Sequence, residues 1–297
     1  PEHGGSAWYR IDWQRGCAEG SAPIALGIDA ISVAGEVYIN DDLLWRDASL
    51  VEPLSRSWNM PRWWLLPASS LHAGVNTVWV RVAGVPELSP GLGVLRLGPA
   101  AQVQARHARN LWRQRTLYEV TAGMAVAVGG LFLGVWLLRR QERAYGWYAL
   151  VSLSWAAYLA TLLATSPWPF ASTLALSRLN IAVFVVYVLA FCLFTWRFGG
   201  QRLPRVERAL RWLAAAAIAA AMLAPRAAVA PVFAVAWVGF ALLFMATCLQ
   251  FQWHAWRPRP GGRDVQHMGL ALCWLLLLAV GVHDMAVVLH MWRAHET

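Results

Sequence analysis

Leu117-Tyr118-Glu119-Val120-Thr121-Ala122-Gly123-Met124-Ala125-Val126-Ala127-Val128-Gly129-Gly130-Leu131-Phe132-Leu133-Gly134-Val135-Trp136-Leu137-Leu138 runs straight into Arg139-Arg140-Gln141-Glu142-Arg143, and this stretch decides the fold. No charge interrupts residues 120–138, and three arginines then close the run. A helix of about 20 apolar residues, rising 1.5 Å each, crosses the roughly 30 Å hydrocarbon layer of a bilayer. Five more segments of the same kind follow, at about 147–165, 176–196, 208–224, 231–253 and 267–291. The fourth is short, and its Ala214–Ala221 stretch is only mildly hydrophobic. Composition agrees with a membrane half. The 297 residues are 58% hydrophobic and only 14% charged, against about 25% charged in soluble chains.

Arginine placement gives the orientation. The connections after the first, third and fifth spans carry Arg139, Arg140, Arg143, Arg197, Arg202, Arg205, Arg208, Arg211, Arg257, Arg259 and Arg263. Those 11 arginines face three acids, Glu142, Glu207 and Asp264, which leaves +8. The alternate connections and the tail hold Arg178, Arg226 and Arg293 against Glu119, Asp284 and Glu296, which cancel. Basic loops stay on the cytoplasmic side. Residues 1–116 are therefore expected outside the cytoplasm, and an even number of crossings returns the last residues to that side. This topology accounts for the net +9, so nucleic acid is not an expected partner; the lipid bilayer is. All 25 basic residues are arginine. The absence of lysine excludes a Schiff-base enzyme, a Walker A loop and a kinase fold. Pro1 stands where a start methionine would be, and both ends read as cut from a longer protein, with a leader before and a seventh span after.

Residues 1–116 read differently. Short strands are expected at Trp8–Trp13, Ile24–Ile28, Glu36–Ile39, Leu43–Trp45, Trp63–Leu66, Val75–Val82 and Val94–Leu97, separated by turn residues. Val37-Tyr38-Ile39-Asn40-Asp41-Asp42-Leu43-Leu44-Trp45 has the apolar flanks and Asn/Asp centre of a hairpin. Val78, Val80 and Val82 alternate with Trp79 and Arg81, as in a half-buried strand. Seven such strands argue for an all-β sandwich or jelly roll. The division expected is a β-sandwich sensor domain over 1–105, a juxtamembrane connector over 106–116, and an all-α membrane bundle over 117–297. Arg106, Arg109, Arg113 and Arg115 lie on that connector, the expected mechanical link between the two domains.

The segments Val37–Trp45, Pro61-Arg62-Trp63-Trp64-Leu65-Leu66-Pro67 and His72-Ala73-Gly74-Val75-Asn76-Thr77-Val78-Trp79-Val80-Arg81-Val82 resemble a galactose-binding-like jelly roll. Asn40-Asp41 stands where such domains usually have Asn-Gly. A sandwich of this type ahead of a helical bundle resembles the bacterial seven-transmembrane receptors with diverse intracellular signalling modules. The resemblance implies an inner-membrane, multi-pass receptor with its amino-terminal domain in the periplasm. It also implies a homodimer, a small-molecule ligand, and a histidine kinase, diguanylate cyclase or phosphatase as output. No output motif is legible within the chain.

Two groups of residues stand out as candidate sites. Trp45, Arg46, Trp58, Arg62, Trp63 and Trp64, with Arg56 beside them, combine indole faces that stack on sugars with guanidinium forks that grip carboxylates. They read as a site for a carbohydrate or a small organic anion, or as core and docking residues of the sandwich. Within the sixth span, His283 and Asp284 are ionisable groups at membrane depth, and His290 follows two turns on. Three readings stay open: Asp284 pairing with Arg178 or Arg226, a ligand pocket or pH sensor, and a metal or haem site through His283 and His290. Asn40–Asp42 reads as a turn ahead of a cation site. No pattern of Cys17, Cys192, Cys248 and Cys273 suggests a disulfide or zinc, and no cofactor is expected. Trp147, Trp168, Trp196, Trp212, Trp253, Trp256 and Trp292 fall near span ends, where indoles anchor at the headgroups. The leading function is ligand sensing across a membrane. The alternatives are a transporter or membrane enzyme subunit working through His283 and Asp284, and a tethered scaffold.

Overall fold

The computed structural model describes residues 5–15, 23–88, 90–257 and 265–288. The amino-terminal region is two antiparallel sheets. One has the order β1 (Gly5–Gln14), β6 (Val75–Gly84), β3 (Ala34–Ile39), β4 (Asp42–Arg46). The other has the order β5 (Arg62–Leu65), β2 (Ile24–Ile28), β7 (Leu95–Pro99). All seven strands expected from the sequence are present, with ends shifted by at most a few residues. Val78, Val80 and Val82 of β6 and Val37 and Ile39 of β3 point into one core with Ile24, Leu26 and Ile28 of β2. Each such side chain, once sealed from water, contributes about 1.5–3 kcal/mol. The alternating partners of β6 lie on the other face, where Trp79 packs edge-on to Trp8 and Arg81 pairs with Glu36.

The β3–β4 hairpin forms as expected. Ile39 pairs with Asp42, so Asn40 and Asp41 make the two-residue turn. Asn40 sits at φ 50°, a left-handed conformation that asparagine tolerates better than most residues. Its amide donates to Ser70 O at 2.7 Å and Asn76 Oδ1 at 3.0 Å, and its Oδ1 accepts from Thr77 N at 2.9 Å. Side-chain bonds thus lock the turn, which is the bland reading of Asn40–Asp42.

Helix α1 (Ala100–Leu111) packs across the second sheet. Gly27 of β2 admits it closely, because a Cβ there would meet Val103 Cγ1 at 3.0 Å. Asn110 fastens the far end of α1 by donating to Asp29 Oδ1 at 2.7 Å. Helix α1 thus begins at Ala100, within the residues read as the end of the sandwich domain. A π-helical turn, Trp112–Thr116, joins α1 to α2 (Leu117–Leu138), making a 39-residue rod.

The remaining helices are α3 (Arg143–Leu163), α4 (Thr173–Phe198), α5 (Pro204–Leu223), α6 (Arg226–Trp256) and α7 (Val265–Val288). Five helical segments among the described residues are long and apolar enough to cross a membrane: Ala100–Leu138, α3, α4, α6 and Val265–His283. The segment expected as the fourth span is helical but is not one of them. Arg205, Glu207, Arg208 and Arg211 occupy its first turns, and the uncharged stretch from Trp212 to Leu223 rises only about 18 Å.

The chain divides into two compact units, residues 1–124 with 159–180, and residues 125–158 with 181–297. In the second unit α4 is the most enclosed helix. Its Phe191 meets Phe244 of α6 at 4.3 Å and Trp274 of α7 at 4.6 Å between ring centroids. Trp196, expected as an interfacial anchor, is instead 5% exposed within this core. Trp168 and Trp212 are exposed as anchors would be, and Trp292 lies outside the described residues. The arginine-bearing ends of the second unit gather together. Arg197 lies over Trp147 and binds Glu207 at 2.8 Å, while His254 and His267 contact the carbonyls of Gly199 and Phe198.

Candidate functional site

The tryptophan and arginine cluster expected on the sandwich separates into three sets. Arg62 lies 3.9 Å over the Trp45 ring, which packs against Trp64 at 5.8 Å. The same guanidinium donates to Asp47 Oδ1, Ser57 Oγ and Met60 O. Asp47 also accepts from Gly35 N and Ser57 Oγ. Burial pushes the Asp47 carboxyl above its ordinary range, although Ser57, Gly35 and Arg62 oppose the shift. This half-buried stack is satisfied from within. Arg46 points elsewhere and pairs with Glu36 at 2.7 Å, and Trp63 packs near His107 of α1.

Arg56 and Trp58 form the third set, with residues far along the chain. Glu52 accepts from Thr173 N at 2.6 Å through Oε1 and from Thr173 Oγ1 at 2.9 Å through Oε2. Thr173 Oγ1 in turn accepts from Leu54 N at 2.8 Å. A carboxylate therefore caps the first turn of α4, where the helix dipole is positive. Four residues on, Arg56 donates through Nη1 to Thr161 O at 2.6 Å and reaches Ala164 O at 3.5 Å, while its backbone N bonds Thr165 O at 2.8 Å. A cation thus closes the last turn of α3, where the dipole is negative. One short loop of the sandwich caps two helix ends with the complementary charges.

Arg56 is 8% exposed, and burial lowers its pKa below the usual arginine value. No carboxylate pairs with it among the described residues, and its Nε and Nη2 bond to nothing there. The side chain lines a cavity of about 260 Å³ with Ser32, Val33, Trp58, Leu88, Thr173 and Ser177. Val33 sits at φ 76°, a left-handed conformation that a β-branched residue adopts only under constraint. The constraint is visible, since Val33 O accepts from Ser57 N at 2.7 Å and its side chain is buried.

A smaller cavity of about 150 Å³ shares Trp58 with the first and is lined also by Ala30, Asn59, Gln114, Tyr118 and Leu162. Asn59 Oδ1 and Gln114 Oε1, both buried, have no hydrogen-bond partner there. Gln114 belongs to the π turn, and its neighbour Arg115 reaches Leu163 O, Met60 Sδ and Glu119. π turns open the helix backbone and recur at functional sites.

The intramembrane residues are less informative. His283 is exposed on α7. Asp284 is on the same helix, but its side chain, and His290 and Cys17 altogether, lie outside the described residues. Among the described residues no group of three His, Cys, Asp or Glu side chains comes together to hold a metal ion. Cys192 and Cys248 are free and buried, with Cys192 Sγ 3.2 Å from Thr247 Oγ1. Sequence reasoning missed Glu52, Thr173, Ser32, Val33 and Ser177. Nothing in the local sequence marks them: Glu52 and Thr173 meet across 121 positions, and Ser32, Val33 and Ser177 come beside Arg56 only in the folded chain.

Two antiparallel sheets followed by long apolar helices define a multi-pass membrane protein with an amino-terminal β domain. The family described as 7TM diverse intracellular signalling matches residues 114–294, well over half of the chain. The chain belongs to that family, whose members are membrane sensory receptors. No curated protein and no solved structure matches this chain.

Proposed function

We propose that this chain is the sensing part of a bacterial inner-membrane receptor. The sandwich lies in the periplasm and binds a small molecule. Its state passes to the helices and from them to a cytoplasmic output, a kinase, cyclase or phosphatase, with the receptor working as a homodimer. The observation that carries this reading is the loop Glu52–Arg56. It caps α4 with an anion and α3 with a cation, so any shift of the loop changes electrostatic and hydrogen-bonding support at two membrane helices at once. A ligand acts in such a device by favouring one of two packings through its differential affinity. The gathering of arginine-bearing turns in the second unit supports a cytoplasmic placement of that end.

The test is Glu52→Gln in the full-length receptor, with output activity and membrane protein level measured together. A changed basal output at equal protein level is expected. Unchanged output at equal level overturns the relay.

A further inference from the structure

The cavity beside Arg56 has the properties of a binding site that the tryptophan and arginine stack at Trp45 lacks. In that stack each cationic group already has its partners, so a ligand would have to displace them. In the cavity a nine-tenths-buried guanidinium uses only Nη1 for protein carbonyls. Its Nε and Nη2 present the parallel pair of donors that matches the two oxygens of a carboxylate. A buried charge without a partner is costly, and the α3 carbonyls offset only part of that cost. The site is therefore biased toward an anion.

The rest of the lining narrows the ligand further. Val33, Leu88 and the Trp58 ring give an apolar wall, while Ser32, Thr173 and Ser177 contribute hydroxyls. Thr173 Oγ1 is already engaged by Leu54 and Glu52, and Ser177 Oγ donates to Thr173 O at 3.2 Å. A volume near 260 Å³ equals that of about nine liquid waters and lies below the usual range for drug-sized ligands. The Glu52 carboxylate, bound to Thr173 of the lining, disfavours a second negative charge. One arginine and one apolar wall suit a single carboxylate on a short carbon skeleton. They do not suit a strongly hydrated dianion such as phosphate.

We propose that this cavity binds a small monocarboxylate, its oxygens held by Nε and Nη2 of Arg56 and its carbon chain lying against Trp58, Val33 and Leu88. Resting on the receptor reading, the bound acid is the signal. It touches both the strained Val33 loop of the sandwich and the first turn of α4, so occupancy tightens the contact between them.

The full chain in lipid nanodiscs is titrated by calorimetry with acetate, butyrate, hexanoate, butyramide and inorganic phosphate. Butyrate or hexanoate binding, with butyramide and phosphate silent, is the expected result. Arg56→Lys keeps a cation for the α3 carbonyls but loses the fork, and binding weakens about tenfold or more. Leu88→Trp fills the cavity without touching Arg56 and abolishes binding while the melting temperature of the free protein stays unchanged. The proposal is overturned if no carboxylate binds at millimolar concentration, if butyramide or phosphate binds as well as butyrate, or if Leu88→Trp binds like the parent. Binding that follows this pattern with no change in receptor output leaves the site standing and removes the signalling role.

Discussion

Asp47 is held by three donors at once, Gly35 N, Ser57 Oγ and Arg62 Nη2, in a pocket that excludes water. Arg62→Ala removes the one cation that faces that carboxylate among the described residues and takes the guanidinium from the Trp45 ring. Breaking one side of a buried pair costs about 3 kcal/mol or more, and thermal unfolding of the purified chain should show it as a clear drop in midpoint. Ligand affinity should not follow the Arg62 substitution, because the Arg56 cavity lies elsewhere. Glu36 gives a prediction in pH. Burial would raise its carboxyl, but hydrogen bonds from Arg81 and Arg46 outweigh burial and hold it below its ordinary value of 4.5. A carboxylate with a depressed folded-state pKa contributes stability that is fully present above 4.5 and is lost as pH falls through the lower folded value. Melts from pH 6 to pH 3 should fall more steeply for the parent than for Glu36→Gln, and parallel curves would refute the assignment. At this scale the sequence was half legible. Val78, Val80 and Val82 could be placed in the core by alternation alone. Arg56 could not be told from Arg62, since both sit among tryptophans and only chain segments far away decide that one meets a carboxylate and the other a helix end.

Elements were easier to read than their junctions. Seven strands and the Asn40–Asp41 turn follow from alternation and turn chemistry, which are local properties. The capping of α3 and α4 depends on tertiary placement and leaves no local trace. Removing a cap predicts a local effect. Glu52→Ala should cost about 1 kcal/mol at the first turn of α4. Hydrogen exchange should speed up over Thr173–Ser177 while β3 and β6 stay protected, and protection unchanged at Thr173 would remove the capping role. The π turn at Trp112–Thr116 was also invisible, because Arg, Gln and Thr in that order read equally well as plain helix. It holds one extra residue in the rod from Ala100 to Leu138. Deleting Gln114 should remove the extra residue and restore plain α-helical hydrogen bonding across the junction. Arg115 would then leave Leu163 O and Met60 Sδ, and output should uncouple from the sandwich at normal membrane level. Output identical to the parent would show that the turn only accommodates packing. Helix α5 is the weaker case. It forms where its alanine run reads as a span, but the charges in its first turns keep it out of the helices that are long and apolar enough to cross by composition.

The whole molecule rests on one asymmetry, the collection of arginines at alternate turns. Charge counting made this legible before any fold was known, because loop charge acts at insertion and needs no tertiary contact. The structure adds that Trp147, Arg197, Glu207, His254 and His267, near the ends of successive helices, meet one another within the second unit. Both facts predict which turns face which compartment. With the native cysteines replaced by serine, Trp168→Cys places a thiol on the exposed turn between α3 and α4, and Gln141→Cys places one on the turn between α2 and α3. A membrane-impermeant maleimide should label position 168 in intact spheroplasts and position 141 only after the membrane is broken. The prediction has a second arm that isolates the cause. Replacing Arg139, Arg140 and Arg143 with neutral residues weakens the positive bias at that turn, and a fraction of the chains should then expose position 141 to the outside reagent. Labelling of position 141 in intact cells without any substitution would place the arginine-rich end outside and reverse the direction in which the sandwich, the Glu52–Arg56 loop and the bundle can pass a signal.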